Sequence, residues 1–286
     1  MSTWPFSPHT AFTDNSVPKV TATHLNDWEL IMTSAAWQLS LARPSFVMLS
    51  TDGSTISGHI APLVMRDNAT SKWTYATFPY VTIDSTSVSG GGGFVNSAWH
   101  VAYARCTNGV TSIVVEAATN PAILTPDGTS SLPYPNCKSG DDTYRYIFAF
   151  YVDGGGLIQR FAARDGVVTW LDDIYVVGSG AGGVGGAVTW QTANTHTVGA
   201  SPFWAKELDV HGLVYNTSAG ADCDLAISYS GDTSTIPRVI TASRDASGGP
   251  ETCGGELTIF APQYSIQWKT ETTSCVVKVK ARKWRD

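Results

Sequence analysis

The segment DIYVVGSGAGGVGG (173–186) leads a strand-like apolar stretch into Gly178, Gly180 and Gly183, which have Gly-x-Gly-x-x-Gly spacing. That spacing binds a dinucleotide when the third glycine opens a helix whose amides meet the pyrophosphate, with an acid about twenty positions on for the ribose. Here Gly183 is followed by VGGAVTWQTANTHTVGASPF. Gly185 and Gly186 weaken a helix, while Val188, Thr189, Trp190, Thr192, Thr195 and Thr197 favour strand or loop. The acid nearest the required distance, Glu207, sits beyond Pro202 inside another strand pattern. The glycines are expected to form a slack, mobile connection between two β elements, like SGGGG at 89–93, and no cofactor is assigned.

Other chemical signatures point the same way. Gly-x-Ser-x-Gly, the Walker pattern and His-Glu-x-x-His do not occur. The histidines (His9, His24, His59, His100, His196 and His211) are scattered, and His100 and His211 fall in the strand patterns AWHVAYA and DVHGLVY, where a hydrogen-bonded sheet histidine is the common role. Asp141–Asp142, Asp172–Asp173 and Asp222–Asp224 read as turn residues bonding their local backbone. A glycosidase carboxylate pair would have to be assembled from distant strands. Cys106, Cys137, Cys223, Cys253 and Cys275 are odd in number and lack metal spacing, so neither a zinc site nor a disulfide framework is expected and reduced thiols are the default. No catalytic residue and no metal ligand is assigned, and the chain is not expected to be an enzyme.

The elements that would carry these residues are mostly strands. In the 286 residues, 43% are hydrophobic and 15% charged, a globular composition whose surface polarity comes from Ser, Thr, Asn and Gly. The net charge of -6 gives no general attraction for nucleic acid or an anionic membrane. One local exception is KVKARKWRD, with Lys278, Lys280, Arg282, Lys283 and Arg285, which reads as a solubilising edge strand. MSTWPFSPHTAF has neither a basic nor an apolar leader region, and no run approaches a membrane span, so signal-peptide secretion and spanning are not expected.

Residues 1–20, with Pro5, Pro8 and Pro18, read as an extended arm. It leads into one helix, in which Leu25, Trp28, Met32, Ala35, Leu39 and Ala42 form a narrow apolar stripe that Pro44 ends. So short a helix is marginal alone. Its partner is either the chain's own sheet or the same helix from two other copies about a three-fold axis, and spacing leaves both open. From residue 45 onward, short β-branched or aromatic runs alternate with turn residues, the signal of a β sandwich or barrel. The clearest strands are 73–83, 98–106, 111–117, 144–152, 157–163, 167–177, 206–215, 224–230, 264–270 and 275–284, with positive-φ hairpin residues in DGGG (153–156) and ARDG (163–166). The Pro-rich stretch 120–142 is either a domain boundary or a long crossover.

Several segments, taken in order, resemble a family of bacteriophage virion proteins found as tail-fibre, spike or head-decoration components. VPKVTATHLN (17–26) is similar to an N-terminal signature of phage fibres, and MRD (65–67), AWHVAYA (98–104), YRYIFAFYVDGGGLIQRFAARDGVVTW (144–170), SPFWAKELDVHGLVYN (201–216) and YSIQWKT with VVKVKARKWRD (264–286) follow the family's order over nearly the whole chain. The ending departs from it, since Lys283 rather than Gly precedes Trp284.

The resemblance implies a mostly β protein with a jelly-roll-like antiparallel sandwich, assembled as a homotrimer on a virion put together in the host cytoplasm, and it brings no catalytic residue. The implied organisation is an anchor and trimerisation segment at 1–43, a first β region at 44–141 and a jelly-roll-like region at 142–286. Trp4 and Phe6 in the arm, with Leu25, Trp28, Met32, Ala35 and Leu39 in the helix, are the expected anchor and trimer contacts. Expected partners are other copies of the chain and tail, portal-region or major capsid proteins. A short tail fibre or spike is favoured over a capsid decoration protein. A carbohydrate-binding module reading host-surface glycan through Trp73, Trp99, Trp190 or Trp204 is the rival from another class.

Overall fold

Alternation of inward and outward side chains builds the molecule: in FVMLS (46–50) the first, third and fifth residues are buried and the others exposed, the period of a strand with one face on a core. The computed structural model describes residues 45–71, 73–118, 124–125, 137–138, 141–179, 182–216, 223–229, 238–242, 252–260 and 265–285. The expected arm and helix, with Trp4, Phe6, Leu25, Trp28, Met32, Ala35 and Leu39, lie outside the described residues.

Among the described residues the chain is mostly β, with two short 3-10 turns at Ser85–Ser87 and Ser89–Gly91. The strands are β1 (Phe46–Ser50), β2 (Ile56–Arg66), β3 (Trp73–Ile83), β4 (Ala98–Thr107), β5 (Val110–Ala117), β6 (Leu124–Thr125), β7 (Cys137–Lys138), β8 (Asp141–Val152) and β9 (Phe161–Arg164). They continue with β10 (Val167–Val177), β11 (Val184–Gly185), β12 (Gln191–Asn194), β13 (Glu207–Asn216), β14 (Cys223–Tyr229), β15 (Arg238–Ala242), β16 (Thr252–Phe260), β17 (Ser265–Thr270) and β18 (Cys275–Arg285).

One nine-stranded sheet, ordered β16-β13-β18-β10-β9-β1-β2-β3 with β11 alongside β18, runs the width of the molecule. Each end is covered by a smaller sheet. Over the β9-β1-β2-β3 end lies the sheet β5-β4-β8-β7-β6, whose Phe148 meets Phe46 of β1 at 5.6 Å and Phe161 of β9 at 5.9 Å between ring centroids. The other end packs against β12-β17-β14-β15, with β14 and β15 in contact with β13 and β14 also touching β16. In this second half the ladders nest: β10 pairs with β18, β12 with β17, β13 with β16 and β14 with β15, all antiparallel.

Strands on both sides of residues 141/142 pair with one another, β8 with β4 and β9 with both β1 and β10. At the ARDG hairpin, Asp165 (φ 50) and Gly166 (φ 82) take the left-handed conformation that a two-residue turn needs. Asp67, just past β2, ties that strand to the β4–β5 hairpin. Its carboxylate accepts the N–H groups of Gly109 (2.9 Å), Thr70 and Ala69 (both 2.9 Å) and lies near the Cys106 thiol. The Gly109 amide and the others hold the Asp67 carboxyl well below the usual carboxylate range.

Two expectations are corrected here. The basic tail is not an edge strand: β18 lies between β10 and β13, because its inward Val277, Val279, Ala281 and Trp284 are buried and make it a core strand. The cysteines are not all reduced thiols, since Cys223 and Cys275 form a disulfide across 52 residues, joining β14 to β18 and so one sheet to the other. Cys106 and Cys137 are buried and take no part in a disulfide. Even spacing along the chain could not reveal a pair that only the stacking of two sheets brings together.

Candidate functional site

The described part of the glycine run links β10 to β11. Gly178 (φ 81) turns the chain just beyond β10, the Ser179 N–H donates to the Gly182 carbonyl at 2.8 Å, and the chain returns as β11 against Val276 and Val277 of β18. A Cβ on Gly183 would lie 2.2 Å from Val276 Cγ1 and 2.8 Å from the Val277 carbonyl oxygen, so close approach to a strand is what demands glycine there. Gly180 lies outside the described residues. The loop joins two β elements as expected, and its described ends, at 178–179 and 182–185, lie against β18.

Several of the titratable groups singled out in the sequence make contacts within the fold. His100 is fully buried, its ring stacked on Phe150, and its Nε2 accepts the Val95 N–H at 3.1 Å while Nδ1 faces the Ala98 carbonyl at 3.2 Å. The ring is neutral with the proton on Nδ1, and burial pushes its pKa down to about 4. Burial also lowers the pKa of His196 and of His211, the latter with help from the Arg282 charge. Asp172 and Asp173 are not turn residues as expected. They sit within β10 where its register against β18 shifts, and they pair with Arg160 and with Lys280 (2.7 Å) respectively. Each cation holds its partner's carboxyl below the ordinary range.

The tryptophans named as glycan platforms are differently placed. Trp99 is 1% exposed and sits at the centre of an aromatic junction, 5.8 Å from Trp284, 6.2 Å from Trp170, 6.5 Å from Trp204 and 5.5 Å from Tyr151 between ring centroids. Its Nε1 donates to the His196 carbonyl at 2.9 Å, and Trp170 Nε1 to the Ala200 carbonyl at 3.0 Å, so indoles satisfy the backbone of the β12–β13 connection. Trp190 carries Lys269 over its ring at 5.0 Å. The side chain of Trp73 lies outside the described residues.

The arrangement with chemical potential is the outer face of the nine-stranded sheet. One row of neighbours crosses it as Thr82, Ser57, Leu49, Ala162, Thr169, Lys283, Asp209 and Thr258, and the next as His59, Val47, Arg164, Val167, Arg285, Glu207 and Phe260. Where β18 meets β10 and β13 the registers of both ladders shift, between Thr169 and Ile174 and between Asp209 and Val210. Such irregularities re-aim side chains and often accompany binding sites. Here they flank a cleft of about 530 Å³ whose apolar lining is Trp170, Val210 and Leu257.

Its polar lining is Thr169, Asp209, Glu256, Thr258, Arg282 and Lys283. Asp209 accepts the Thr258 hydroxyl at 2.6 Å and lies 3.0 Å from Lys283 Nζ. Partial burial works to raise the Asp209 pKa, but the Thr258 hydroxyl and Lys283 outweigh it and the net shift is downward. Asp209 is thus held as an ionised acceptor. Glu256 and Arg282 are exposed, the Arg282 charge acting on Asp173 and His211 and the Glu256 charge on His211. The rim of the cleft carries donors and acceptors, while the side chains of Trp170 and Val210 belong to the buried face of the sheet.

Sequence reasoning found the cations of the tail but missed their partners. A signal was present: Glu207 and Asp209 alternate at period two in one strand, and Lys283 and Arg285 alternate in another, with opposite charge. Thr258 and Glu256 escaped because GlyGly at 254–255 interrupts the pattern of β16.

No family model and no curated protein matches the chain. Among solved structures, a Cry1Da tryptic core variant from Bacillus thuringiensis is similar at 10% identity and a TM-score of 0.23, over 87% of this chain and 54% of that one. The structure of the infectious bursal disease virus Gx strain is similar at 11% identity and a TM-score of 0.20, over 84% of this chain and 66% of that one. The chain thus spans about half the length of the toxin core and just under two thirds of the viral chain. At these TM-scores neither likeness carries an argument about this chain.

Proposed function

We propose that this protein is a structural, non-enzymatic component of a bacteriophage virion, a homotrimer anchored by its N-terminal segment with its β region projecting outward. The observation that carries the reading is the nested pairing of the second half, β10 with β18, β12 with β17, β13 with β16 and β14 with β15. A long antiparallel hairpin rolled into two facing sheets has this connectivity, and we read residues 167–285 as a jelly roll, an architecture recurrent in viral capsid and lectin domains. The order of sequence segments shared with phage virion proteins supports the same reading, and the fibre-like signature at 17–26 favours the tail over the capsid surface. The carboxylates of Asp67, Asp172, Asp173 and Asp209, held ionised by hydrogen bonds and cations, suit a protein selected for rigidity.

Light scattering of the purified chain tests the assembly: a mass three times that of the chain is expected, and a species that stays monomeric at high concentration overturns the trimer. Immunogold labelling of particles from cells carrying the gene tests the location. Label at the tail is expected, label over capsid faces would replace the fibre with a decoration protein, and particles without label would remove the virion assignment.

A further inference from the structure

We propose that Asn108 is a spontaneous modification site, converted to aspartate and isoaspartate when the buried Asp67 carboxylate releases the Gly109 amide. The inference concerns one turn of a single chain and stands without the virion reading. Its first support is the dipeptide. Asparagine precedes glycine once in the chain, at Asn108–Gly109, and glycine has no side chain to hinder attack of its nitrogen on the preceding side-chain amide. Both residues are exposed at the tip of the β4–β5 hairpin, in left-handed conformations (φ 52 and 77) between the paired Thr107 and Val110. A Cβ on Gly109 would meet nothing within 4 Å, so the turn lies open on that side. The reaction needs only the chain and water. The deprotonated Gly109 nitrogen attacks Asn108 Cγ, the Cγ–Nδ2 bond breaks, and Nδ2 takes up a proton and leaves as ammonia, closing a succinimide. Water then opens the ring at either carbonyl, giving aspartate or isoaspartate. Isoaspartate adds a carbon to the backbone, so the two-residue turn no longer fits the Thr107–Val110 register and the change is one-way.

Its second support is what holds the attacking nitrogen. The ladder of a two-residue hairpin closes on the flanking residues and leaves the turn amides without a strand partner. The Gly109 N–H donates instead to Asp67 Oδ2 at 2.9 Å, an acceptor 42 positions earlier in the chain. Asp67 is 2% exposed and is itself fixed: its Oδ1 accepts the Ala69 and Thr70 N–H groups, both at 2.9 Å, and the Thr70 hydroxyl at 3.1 Å, while the Cys106 thiol lies 3.4 Å from Oδ2. A carboxylate fixed there acts twice. It keeps the Gly109 N–H aimed at Asp67, and its negative charge opposes both the loss of the amide proton and the oxyanion that forms on Asn108 as the ring closes. The same donors keep Asp67 ionised at neutral and alkaline pH, so the amide is released by local opening of the hairpin and not by titration of its acceptor.

The test is incubation of the full chain in mildly alkaline buffer, folded and in urea, with the peptide containing residue 108 followed by mass spectrometry. Conversion of Asn108 is expected to be slower by about tenfold or more in the folded chain than in urea, and faster by about tenfold in folded Asp67→Asn than in the folded parent. Asp52→Asn removes a carboxylate that accepts the Ser54 and Thr55 amides in the β1–β2 turn, and it should leave the rate at Asn108 unchanged. Hydrogen exchange on the parent reads the same contact without a mutation: the Gly109 amide should exchange more slowly than an unprotected amide by about tenfold or more. Absence of conversion at Asn108 in urea would overturn the proposal. So would conversion in the folded chain as fast as in urea, a Gly109 amide that exchanges freely, or a folded Asp67→Asn chain that converts at the parent rate. None of these outcomes depends on the oligomeric state or on the particle.

Discussion

Along the row from His59 through Val47, Arg164 and Val167 to Arg285, Glu207 and Phe260, one continuous ladder crosses two surfaces of different character. At the β1–β3 end the outward residues include exposed apolar and aromatic side chains among Ser57, His59 and Thr82, with Val47, Leu49, Tyr75 and Tyr80 between 43% and 68% exposed. At the β10–β18–β13 end they are charged and matched across strands, Asp173 with Lys280, Asp209 with Lys283 and Glu207 with Arg285. The backbone pairing is the same in both. What differs is the kind of contact between strands, ion pairs at one end and the edge-on His59–Tyr80 rings at the other, while the inner faces bury the common core. The two ends share one buried core, into which the Trp99 junction and the Phe46–Phe148 contact both fall.

The comparison can be broken most forcefully at that junction. Trp99→Ala removes the ring on which Trp284, Trp170, Trp204 and Tyr151 converge, and a loss of about 3–5 kcal/mol is expected in denaturant unfolding. Because the ring touches both halves, the transition should stay single; two separated transitions would show that the halves unfold independently.

Next in size is the staple that only the second half possesses. Cys223→Ser with Cys275→Ser should cost about 2–4 kcal/mol, given the 52 residues it encloses, and the reductant sensitivity of the parent melting temperature should vanish in the double variant. A double variant as stable as the parent would mean that the second half needs no staple.

His100 distinguishes the halves by pH. Its folded pKa is about 4 against 6.5 in the unfolded chain, so the unfolded state takes up the proton first. Stability is therefore full above pH 6.5 and declines as pH falls towards 4, by up to about 3 kcal/mol from this residue. His100→Gln keeps an acceptor for the Val95 N–H and should flatten that slope in urea titrations across the window. An unchanged slope would show that His100 is protonated in the fold.

Smallest are changes on the outer face itself. Lys283→Met should cost under about 1 kcal/mol, since its pair with Asp209 is partly exposed. Leu49→Thr at the apolar end should change chain stability by less than about 0.5 kcal/mol. Were Lys283→Met to cost as much as Trp99→Ala, the charged rows would rank with the core and the contrast drawn above would fail.

Most of the strands were legible in the sequence. WTYATFPYVTI became β3, YRYIFAFYV lies in β8, VVTWLDDIYVV is β10 and CVVKVKARKW begins β18, because side-chain alternation and turn residues are local properties. β2 and β16 were not read, since Gly58 and Pro62 break the pattern of ISGHIAPLVMR and two glycines that of TCGGELTIF. The cleft was half legible: its cations stood out in the tail, and its carboxylates and threonine did not.

Residue types within a few positions of one another were enough to read a mostly β protein of turn-punctuated strands and a glycine run followed by strand formers rather than helix formers. Only the tertiary structure decided that the basic tail is a central strand, that Cys223 meets Cys275, and that Arg282 and Glu256 share a cleft with Asp209. Those facts depend on which distant strands pair and in what register. Strand pairing is a long-range choice made by burying one shared face, and neighbouring residues carry no record of it.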